Sequence, residues 1–352
     1  MHGDGSPFYS DDKLACHSIE VCSLKKFSLL LKFACGIGSV IFIGRMLYGK
    51  KNQQPPRKRG TSTASAEGEV IMANNIDKNE PDASYICIPG GTYIYSENGQ
   101  EVTVGEMYVA CYPVTNRQYR AFIDYLAGSP SSAASVLPAG EYEEALQEFA
   151  DSDASPDTRG MQLYLQSEKD LARLFRSEYD DDRNFNKDDQ PVVGVSWYAA
   201  RAYCLWLSML DPEGWPYMLP TEQQWEWAAG GRRDRSGEVL EVREYPWGDK
   251  PKPTPKYANH DENEGQTTPV GSYPDGATPE GLFDMVGNVW EWMENWDDYD
   301  GEEHFYDPEV KRLRGGSWDR SSDELGCSDW YYENPGAGAN YIGFRVVRSR
   351  PH

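Results

Sequence analysis

The stretch "LRGGSWDRSSDELGCSDWYYENPGAGANYIGFRVV", residues 313–347, carries more structural information than any other part of the sequence. Its two ends, Leu-Arg-Gly-Gly-Ser-Trp and Ile-Gly-Phe-Arg-Val-Val, place apolar residues beside glycines, as short core strands and tight turns do. Its middle contains Asp, Ser, Trp, Tyr, Asn and Gly without the period of a helix or a strand. The stretch therefore predicts two framework strands with a long loop between them.

Upstream of this stretch, local signals predict short strands and capped helices. The segment "SYICIPGGTYIYS" predicts two strands around a Pro-Gly-Gly turn, and "VTVGEMYVACYPVT" predicts a third strand. Thr115 and Thr221 are each followed three residues later by Gln, which is the spacing of a helix capping box. Ser196 is a further candidate N-cap. Residues 128–190 are acidic, contain two candidate helices and predict an insertion on the surface.

Motifs along the chain resemble, in order, those of the formylglycine-generating (sulfatase-modifying) enzyme superfamily, over about residues 84–349. The motifs are "IPGGTY", "PVTNRQYRAF", "PVVGVSWYAARAYCLWL", "YMLPTEQQWEWAAGG", "YPWGD", "GLFDMVGNVWEW", "LRGGSW" and "IGFRVV". The resemblance implies an irregular, loop-rich α+β fold similar to that of C-type lectins. It leaves the function open, because the superfamily contains formylglycine-generating enzymes, iron-dependent sulfoxide synthases and non-catalytic binding proteins.

Catalytic formylglycine-generating members use two cysteines shortly after the Arg-Gly-Gly-Ser motif, because Cu(I) prefers soft thiolate ligands. The same spacing in this chain gives Arg320 and Leu325, neither of which can bind copper. Cys327 resembles a separate structural cysteine of the family, although one of the other cysteines of the domain could supply it with a partner. A divergent formylglycine-generating or related metal-dependent oxidase therefore stays as an alternative function.

The iron-dependent branch of the family needs closely spaced histidines. The histidines of this chain are scattered, at His2, His17, His260, His304 and His352. We therefore expect neither copper nor iron as a cofactor.

Calcium is the cofactor that the resemblance implies. In "GLFDMVGNVWEW" the family holds Ca²⁺ with a side chain at Asp284, backbone carbonyls at Gly287 and Val289, and the carboxylate at Glu291. Hard oxygen ligands from a tight loop suit Ca²⁺. The alternative is that both carboxylates only cap turns. Asn259 resembles part of a second family site, but the residues around it do not match, so no second calcium site is predicted.

The loop between the framework strands has the composition of a binding surface. Tyr and Trp supply large contact areas at low entropic cost, and Ser, Asn and Gly supply adaptable hydrogen bonds. The frame also resembles that of variable proteins whose middle segment is diversified by retroelements. The predicted ligand-binding residues are Trp318, Asp319, Arg320, Ser321, Ser322, Asp323, Glu324, Ser328, Asp329, Trp330, Tyr331, Tyr332, Glu333, Asn334, Asn340 and Tyr341.

The N-terminal part predicts attachment to a membrane. After a polar tail at 1–26, residues 27–48 are apolar and long enough to cross a bilayer as a single helix. A buried or amphipathic helix is the alternative for this segment. Residues 49–82 are polar and Pro-interrupted, as a flexible linker to a domain at 83–349 would be. Basic residues lie on both sides of the span, so the membrane face that carries the domain stays open.

Charge is distributed unevenly along the chain. Residues 1–60 carry a net charge of +6 and the remainder carries −29, which gives −23 in total. An acidic body repels phosphate backbones, so no nucleic-acid partner is expected. Together, these observations predict a membrane-attached, non-catalytic protein that binds a protein or another macromolecule through residues 318–341. A structural component of a membrane assembly is a further alternative.

Overall fold

The computed structural model describes residues 84–131, 134–151, 156–231, 239, 241–294 and 310–350. The predicted tail at 1–26, membrane anchor at 27–48 and linker at 49–82 lie outside the described residues. Within the described ranges, no helix combines the length and the apolar character that crossing a bilayer requires.

Short strands alternate with helices along the described chain. The strands are β1 (Tyr85–Ile88), β2 (Gly91–Ile94), β3 (Glu101–Val104), β4 (Met107–Ala110), β5 (Tyr217–Met218), β6 (Trp290–Trp292), β7 (Lys311–Arg314), β8 (Trp330–Glu333), β9 (Ile342–Gly343) and β10 (Val347–Arg348). The α-helices are α1 (Asn116–Leu126), α2 (Ala139–Asp151), α3 (Pro156–Ser167), α4 (Leu171–Leu174), α5 (Trp197–Leu210) and α6 (Glu222–Gly230). Much of the chain between them is irregular, in agreement with the predicted loop-rich α+β class.

The C-terminal stretch joins the two larger sheets of the described structure. One sheet has the strand order β1-β4-β10-β5 and the other has the order β8-β7-β6-β9, while β2 and β3 form a separate antiparallel pair. Strand β9 runs parallel to β6, with Trp290 opposite Ile342. Strand β10 pairs with β4, with Val347 opposite Val109. Both predicted framework ends of residues 313–347 are therefore strands of the core.

The predicted helix starts are confirmed. Thr115 and Thr221 both make complete capping boxes, in which the threonine side chain accepts from the third helical amide and the glutamine side chain accepts from the cap amide. The Ser196 side chain accepts from the Ala199 amide at the start of α5. These contacts satisfy amides that the first helical turn leaves unpaired.

Aromatic side chains fill the largest core cluster. Phe122 of α1 is fully buried and contacts the rings of Phe175, Tyr203 and Trp206 at centroid distances of 5.9, 5.7 and 5.4 Å. Residues from the acidic 128–190 segment join this cluster through one face of α2, including Tyr142 and Leu146. The segment thus contributes to the core, and its origin as an insertion stays a prediction.

The two strands predicted around Pro-Gly-Gly are present as β1 and β2, and β1 pairs with β4 while β2 pairs with β3. Two local expectations differ from the structure. The segment predicted as one strand, "VTVGEMYVACYPVT", forms both β3 and β4, because the chain leaves the β2–β3 pair at Gly105 and enters a different sheet. Finally, the predicted loop contains strand β8, whose Trp-Tyr-Tyr sequence has high strand propensity and pairs in register with β7.

Candidate functional site

Strand β8 presents two large aromatic side chains to solvent. Among the described strands it lies at the edge of its sheet, paired on one side with β7. Side chains two residues apart on a strand share a face, and here Trp330 and Tyr332 are 43% and 52% exposed. Their ring centroids lie 6.3 Å apart. Adjacent exposed rings form an apolar patch of the kind that marks an interaction site.

Trp330 rests on a rigid support. The Arg312 guanidinium carbon lies 3.6 Å from the Trp330 ring centroid. The two terminal nitrogens of Arg312 donate to the two oxygens of Glu97 at 2.9 and 3.2 Å. A planar guanidinium in a forked contact with a carboxylate keeps a single orientation. Arg312 therefore covers one face of the Trp330 ring, while the side chain stays 43% exposed to solvent.

Tyr331 lies between the two exposed rings along β8 and links the surface to the core. Its ring stacks on that of Trp290, with 5.8 Å between centroids. The Arg320 guanidinium lies between Tyr331 and Tyr341, at 5.2 and 5.6 Å from their ring centroids. The nearest acidic atom to Arg320 is Asp319 Oδ1, at 3.7 Å. These contacts link Arg320, near the start of the segment, to Tyr331 and Tyr341 in its later part.

The predicted ligand-binding residues form one continuous segment but differ in exposure. Six are exposed: Ser321, Asp323, Glu324, Trp330, Tyr332 and Asn334. The others are partly buried: Trp318, Asp319, Arg320, Ser322, Ser328, Asp329, Tyr331, Glu333, Asn340 and Tyr341. Within the segment, Leu325 and Cys327 are fully buried and anchor it to the body.

Arg312 and Glu97 support this surface but were not among the predicted site residues. Arg312 directly precedes the framework motif, and its position on β7 opposite Tyr332 follows only from the strand pairing. Glu97 lies in the turn between β2 and β3, 215 residues away in sequence. Nothing in the sequence near Glu97 indicates this contact.

A buried ion-pair network lies behind the surface. Arg314 is fully buried, and its guanidinium contacts Glu222 at 3.2 Å and Glu226 at 3.4 Å. It also donates to the backbone oxygen of Ser328 at 3.0 Å, which ties the segment to β7. Burial raises the pKa of Glu226 to about 6, against the opposing effect of Arg314. Two carboxylates, those of Glu222 and Glu226, thus surround the single guanidinium of Arg314.

The two carboxylates of the predicted calcium site, Asp284 and Glu291, both interact with a second buried arginine, Arg345. Arg345 makes an ion pair with Glu291 at 2.9 Å, and both side chains are fully buried. The Glu291 carboxylate also accepts a hydrogen bond from Trp225 Nε1 at 2.7 Å. Glu291 therefore does more than cap a turn, because it neutralises Arg345 inside the core.

Asp284 is the residue of this group that fits a hard cation. Its Oδ2 accepts from the Gly271 amide at 2.7 Å, and within the described ranges it makes no ion pair. Burial raises the pKa of Asp284 to about 6, with Glu291 adding to the effect and Arg345 opposing it. Two buried carboxylates thus face one guanidinium, which leaves negative charge that a cation could neutralise. The carbonyl oxygen of Gly287 accepts from the Val289 amide at 2.8 Å.

The cysteine positions of the copper-dependent enzymes hold other side chains. Leu325 is fully buried and packs with Ala258 and Val286. Cys327 is buried against Gly230, and burial raises the pKa of its thiol far above the usual range. A buried thiol of this kind is a poor thiolate ligand and a poor nucleophile. Over the described ranges, no group of three or more His, Cys, Asp and Glu side chains is placed to hold a metal ion.

Comparison with known proteins identifies one matching family model and several relatives. The model of the sulfatase-modifying factor enzyme 1-like domain matches residues 72–350. Serine/threonine-protein kinase pkn1 of Chlamydia caviae is 37% identical over 173 residues, which cover 45% of this chain and 24% of the kinase. This chain therefore spans about a quarter of that relative's length.

Two further similarities extend over most of the chain. Inactive C-alpha-formylglycine-generating enzyme 2 of Bos taurus is 29% identical over 296 residues, which cover 76% of this chain and 89% of the relative. The solved structure of Treponema denticola variable protein 1 is 19% identical, with a TM-score of 0.49, and the match covers 76% of this chain and 95% of that one.

Proposed function

The chain belongs to the family of the sulfatase-modifying factor enzyme 1-like domain, and we propose that, within this family, its domain is a non-catalytic binding module. The binding surface is the segment from Trp318 to Tyr341. Its centre is the exposed pair Trp330 and Tyr332 on β8, and its partner is a protein or another macromolecule.

The observation that carries the proposal is the exposed aromatic pair on a fixed strand. Exposed Trp and Tyr rings dominate the energetics of protein interfaces when a partner buries them. The support from Arg312 and Glu97 reduces the conformational entropy that binding would cost. A surface without a ligand gains nothing from holding a large exposed ring in a single orientation.

The chemistry at the family's copper positions supports a non-catalytic role. Arg320 and Leu325 stand where thiolates would bind Cu(I), and Leu325 is part of the core. One bovine relative, which aligns with 76% of the chain, is itself named as inactive, while a second, named formylglycine-generating enzyme, aligns with 70% of it. Diversification of the segment by a retroelement is the finer form of this proposal, and an adenine-biased near-copy of codons 318–341 beside a reverse-transcriptase gene would support it.

Binding can be tested with a Trp330→Ala/Tyr332→Ala double variant. Partners selected from a displayed peptide library on the full-length protein are expected to lose at least about tenfold in affinity for this variant, because buried Trp and Tyr anchors contribute on the order of 2 kcal/mol or more. The matched control is Leu163→Ala, since Leu163 is an exposed apolar residue on α3, outside residues 318–341. Equal affinities of the double variant and the wild type would contradict the proposal.

The non-catalytic part of the proposal has its own test. The protein is incubated with Cu(I), oxygen and a cysteine-containing sulfatase peptide, and aldehyde formation is measured. We expect no aldehyde above background. Turnover would instead support the alternative of a divergent oxidase.

We also propose Ca²⁺ as a structural cofactor at Asp284, with Gly287, Val289 and Glu291 around it. A ligand that binds only the folded state stabilises it by roughly 2.7 kcal/mol at a concentration 100 times its Kd. EDTA is therefore expected to lower the Tm by several degrees, and Asp284→Asn should reduce that response while keeping an acceptor for the Gly271 amide. Asp275→Asn is the control on an exposed carboxylate. A Tm that is unchanged by EDTA would count against calcium.

Membrane attachment through residues 27–48 remains part of the proposal, on the basis of their apolar sequence. Carbonate extraction of membranes from cells that produce the full-length chain provides the test. The chain is expected to stay in the membrane pellet. Its release into the soluble fraction would mean that this segment does not span the membrane.

A further inference from the structure

The charge of the proposed binding segment has one sign. Residues 318–341 contain five acidic residues, Asp319, Asp323, Glu324, Asp329 and Glu333, and a single basic residue, Arg320. The Arg320 guanidinium packs beside Tyr331 and Tyr341 and lies 3.7 Å from Asp319, and Asp323 is paired with Lys252 at 2.8 Å. Glu324, Asp329 and Glu333 make no ion pair among the described residues, so the remaining charge of the segment is negative.

The aromatic rings of this segment already bind arginine side chains of the chain itself. Trp330 packs on Arg312, whose charge is neutralised by Glu97. Tyr331 and Tyr341 pack on Arg320, beside Asp319. Both contacts combine a guanidinium, an aromatic ring and a carboxylate, an arrangement in which the ring quadrupole and the carboxylate both attract the cation.

Among the described residues, no arginine or lysine packs on the Tyr332 ring in this way, and its side chain is 52% exposed. Its neighbours in the chain are Tyr331, whose ring stacks on it at 5.6 Å, and the acidic residue Glu333. An incoming arginine or lysine would therefore meet an aromatic surface with negative charge close by.

Resting on the proposed function, we propose that the partner is a basic polypeptide that places arginine or lysine side chains on Tyr332 and Trp330. The negative charge of the segment attracts such a partner and repels an acidic protein or a polyanion. The aromatic pair gives orientation to this attraction, because a cation gains most over the ring face. The partner is thus defined by its charge and by its use of the exposed rings.

The test uses three peptide pools of equal length and apolar content on the full-length protein. The pools differ only at shared variable positions, which hold Arg/Lys, Asp/Glu or Ser/Gln. We expect binding from the basic pool, and we expect it to weaken as NaCl is raised from about 0.05 M to about 0.5 M, since salt screens exposed charges.

Point variants distinguish the contribution of the aromatic ring to binding from that of the negative charge. Tyr332→Leu removes the aromatic face and is expected to weaken binding of the basic pool about 2- to 5-fold, whereas Tyr332→Phe keeps the face and the affinity. Glu333→Gln is expected to weaken the same binding up to about 5-fold. Glu148→Gln, on an exposed position of α2, is the charge-matched control and should change nothing.

The outcomes distinguish this inference from the proposed function. If the acidic or neutral pool binds in a manner that depends on Trp330 and Tyr332, the binding surface stands and the basic-partner inference is overturned. If the basic pool binds equally well to the Trp330→Ala/Tyr332→Ala variant, the attraction is a general effect of the −23 charge, and the inference is also overturned. If no pool binds, both proposals fail.

Discussion

Replacing Phe344 by Ala is expected to lower the free energy of unfolding by about 3–5 kcal/mol. Phe344 is fully buried, and its ring contacts those of Tyr119 and Tyr203 edge-on, at centroid distances of 6.0 and 5.5 Å. These rings belong to α1 and α5, so the side chain joins the C-terminal frame to two helices. Its removal would leave a cavity whose walls are stiff aromatic rings that cannot collapse to fill it.

Urea denaturation of the wild type and of two variants measures this effect. Tyr332→Ala is the matched control, because it removes an aromatic ring from the same C-terminal stretch at a position that is 52% exposed. The control is expected to change the free energy of unfolding by no more than about 0.5 kcal/mol. If Tyr332→Ala destabilised the protein as much as Phe344→Ala, strand β8 would belong to the core and the binding-surface proposal would fail.

The contrast between these two residues shows what local sequence could predict. Phe344 lies in an apolar, glycine-flanked frame, and such patterns indicate burial wherever the strand goes. The helix starts at Thr115 and Thr221 were equally predictable, because a capping box needs only residues three positions apart. Helix caps and apolar frames depend on residues that are close together in the chain, and these features are predictable from the sequence.

Features that depend on distant residues were not predictable in the same way. The local sequence predicts a loop at β8, because the strand character of these residues depends on pairing with β7. The contact of Arg312 with Glu97 joins residues that are 215 positions apart. Tertiary pairing decides both, and local sequence patterns do not show it.

The predicted calcium site includes a contact that the family motif does not predict. Resemblance to the family assigned Glu291 as a metal ligand, and this assignment stays a prediction. The structure adds a partner that the motif does not include, since Arg345 contacts the Glu291 carboxylate. Arg345 lies inside "IGFRVV", a motif whose sequence pattern indicates only a framework strand.

Arg345 is the residue whose loss we expect to have the other largest effect. Its side chain is fully buried and connects three parts of the fold. It pairs with Glu291 on β6, donates to the Ala110 carbonyl of β4 at 2.8 Å, and donates to the Phe283 carbonyl at 2.6 Å. Replacement by Met keeps much of the volume but leaves these acceptors without their donor.

Arg345→Met is therefore expected to cost about 3–5 kcal/mol, because removing one partner leaves a buried charge uncompensated. Arg350→Met is the matched control, since Arg350 is 68% exposed and lies 3.7 Å from Glu106. That control should cost at most about 1 kcal/mol. Urea denaturation of both variants gives the two free energies.

A second substitution identifies the cause of the loss. Glu291→Gln removes the charge of the partner but keeps an oxygen that can accept from Trp225 Nε1. If the orphaned charge is responsible, the double variant Arg345→Met/Glu291→Gln should be more stable than Arg345→Met alone, although each change is unfavourable by itself. If the two losses simply add, the cost arises from the carbonyl contacts of Arg345, and the ion pair contributes little to holding the two sheets together.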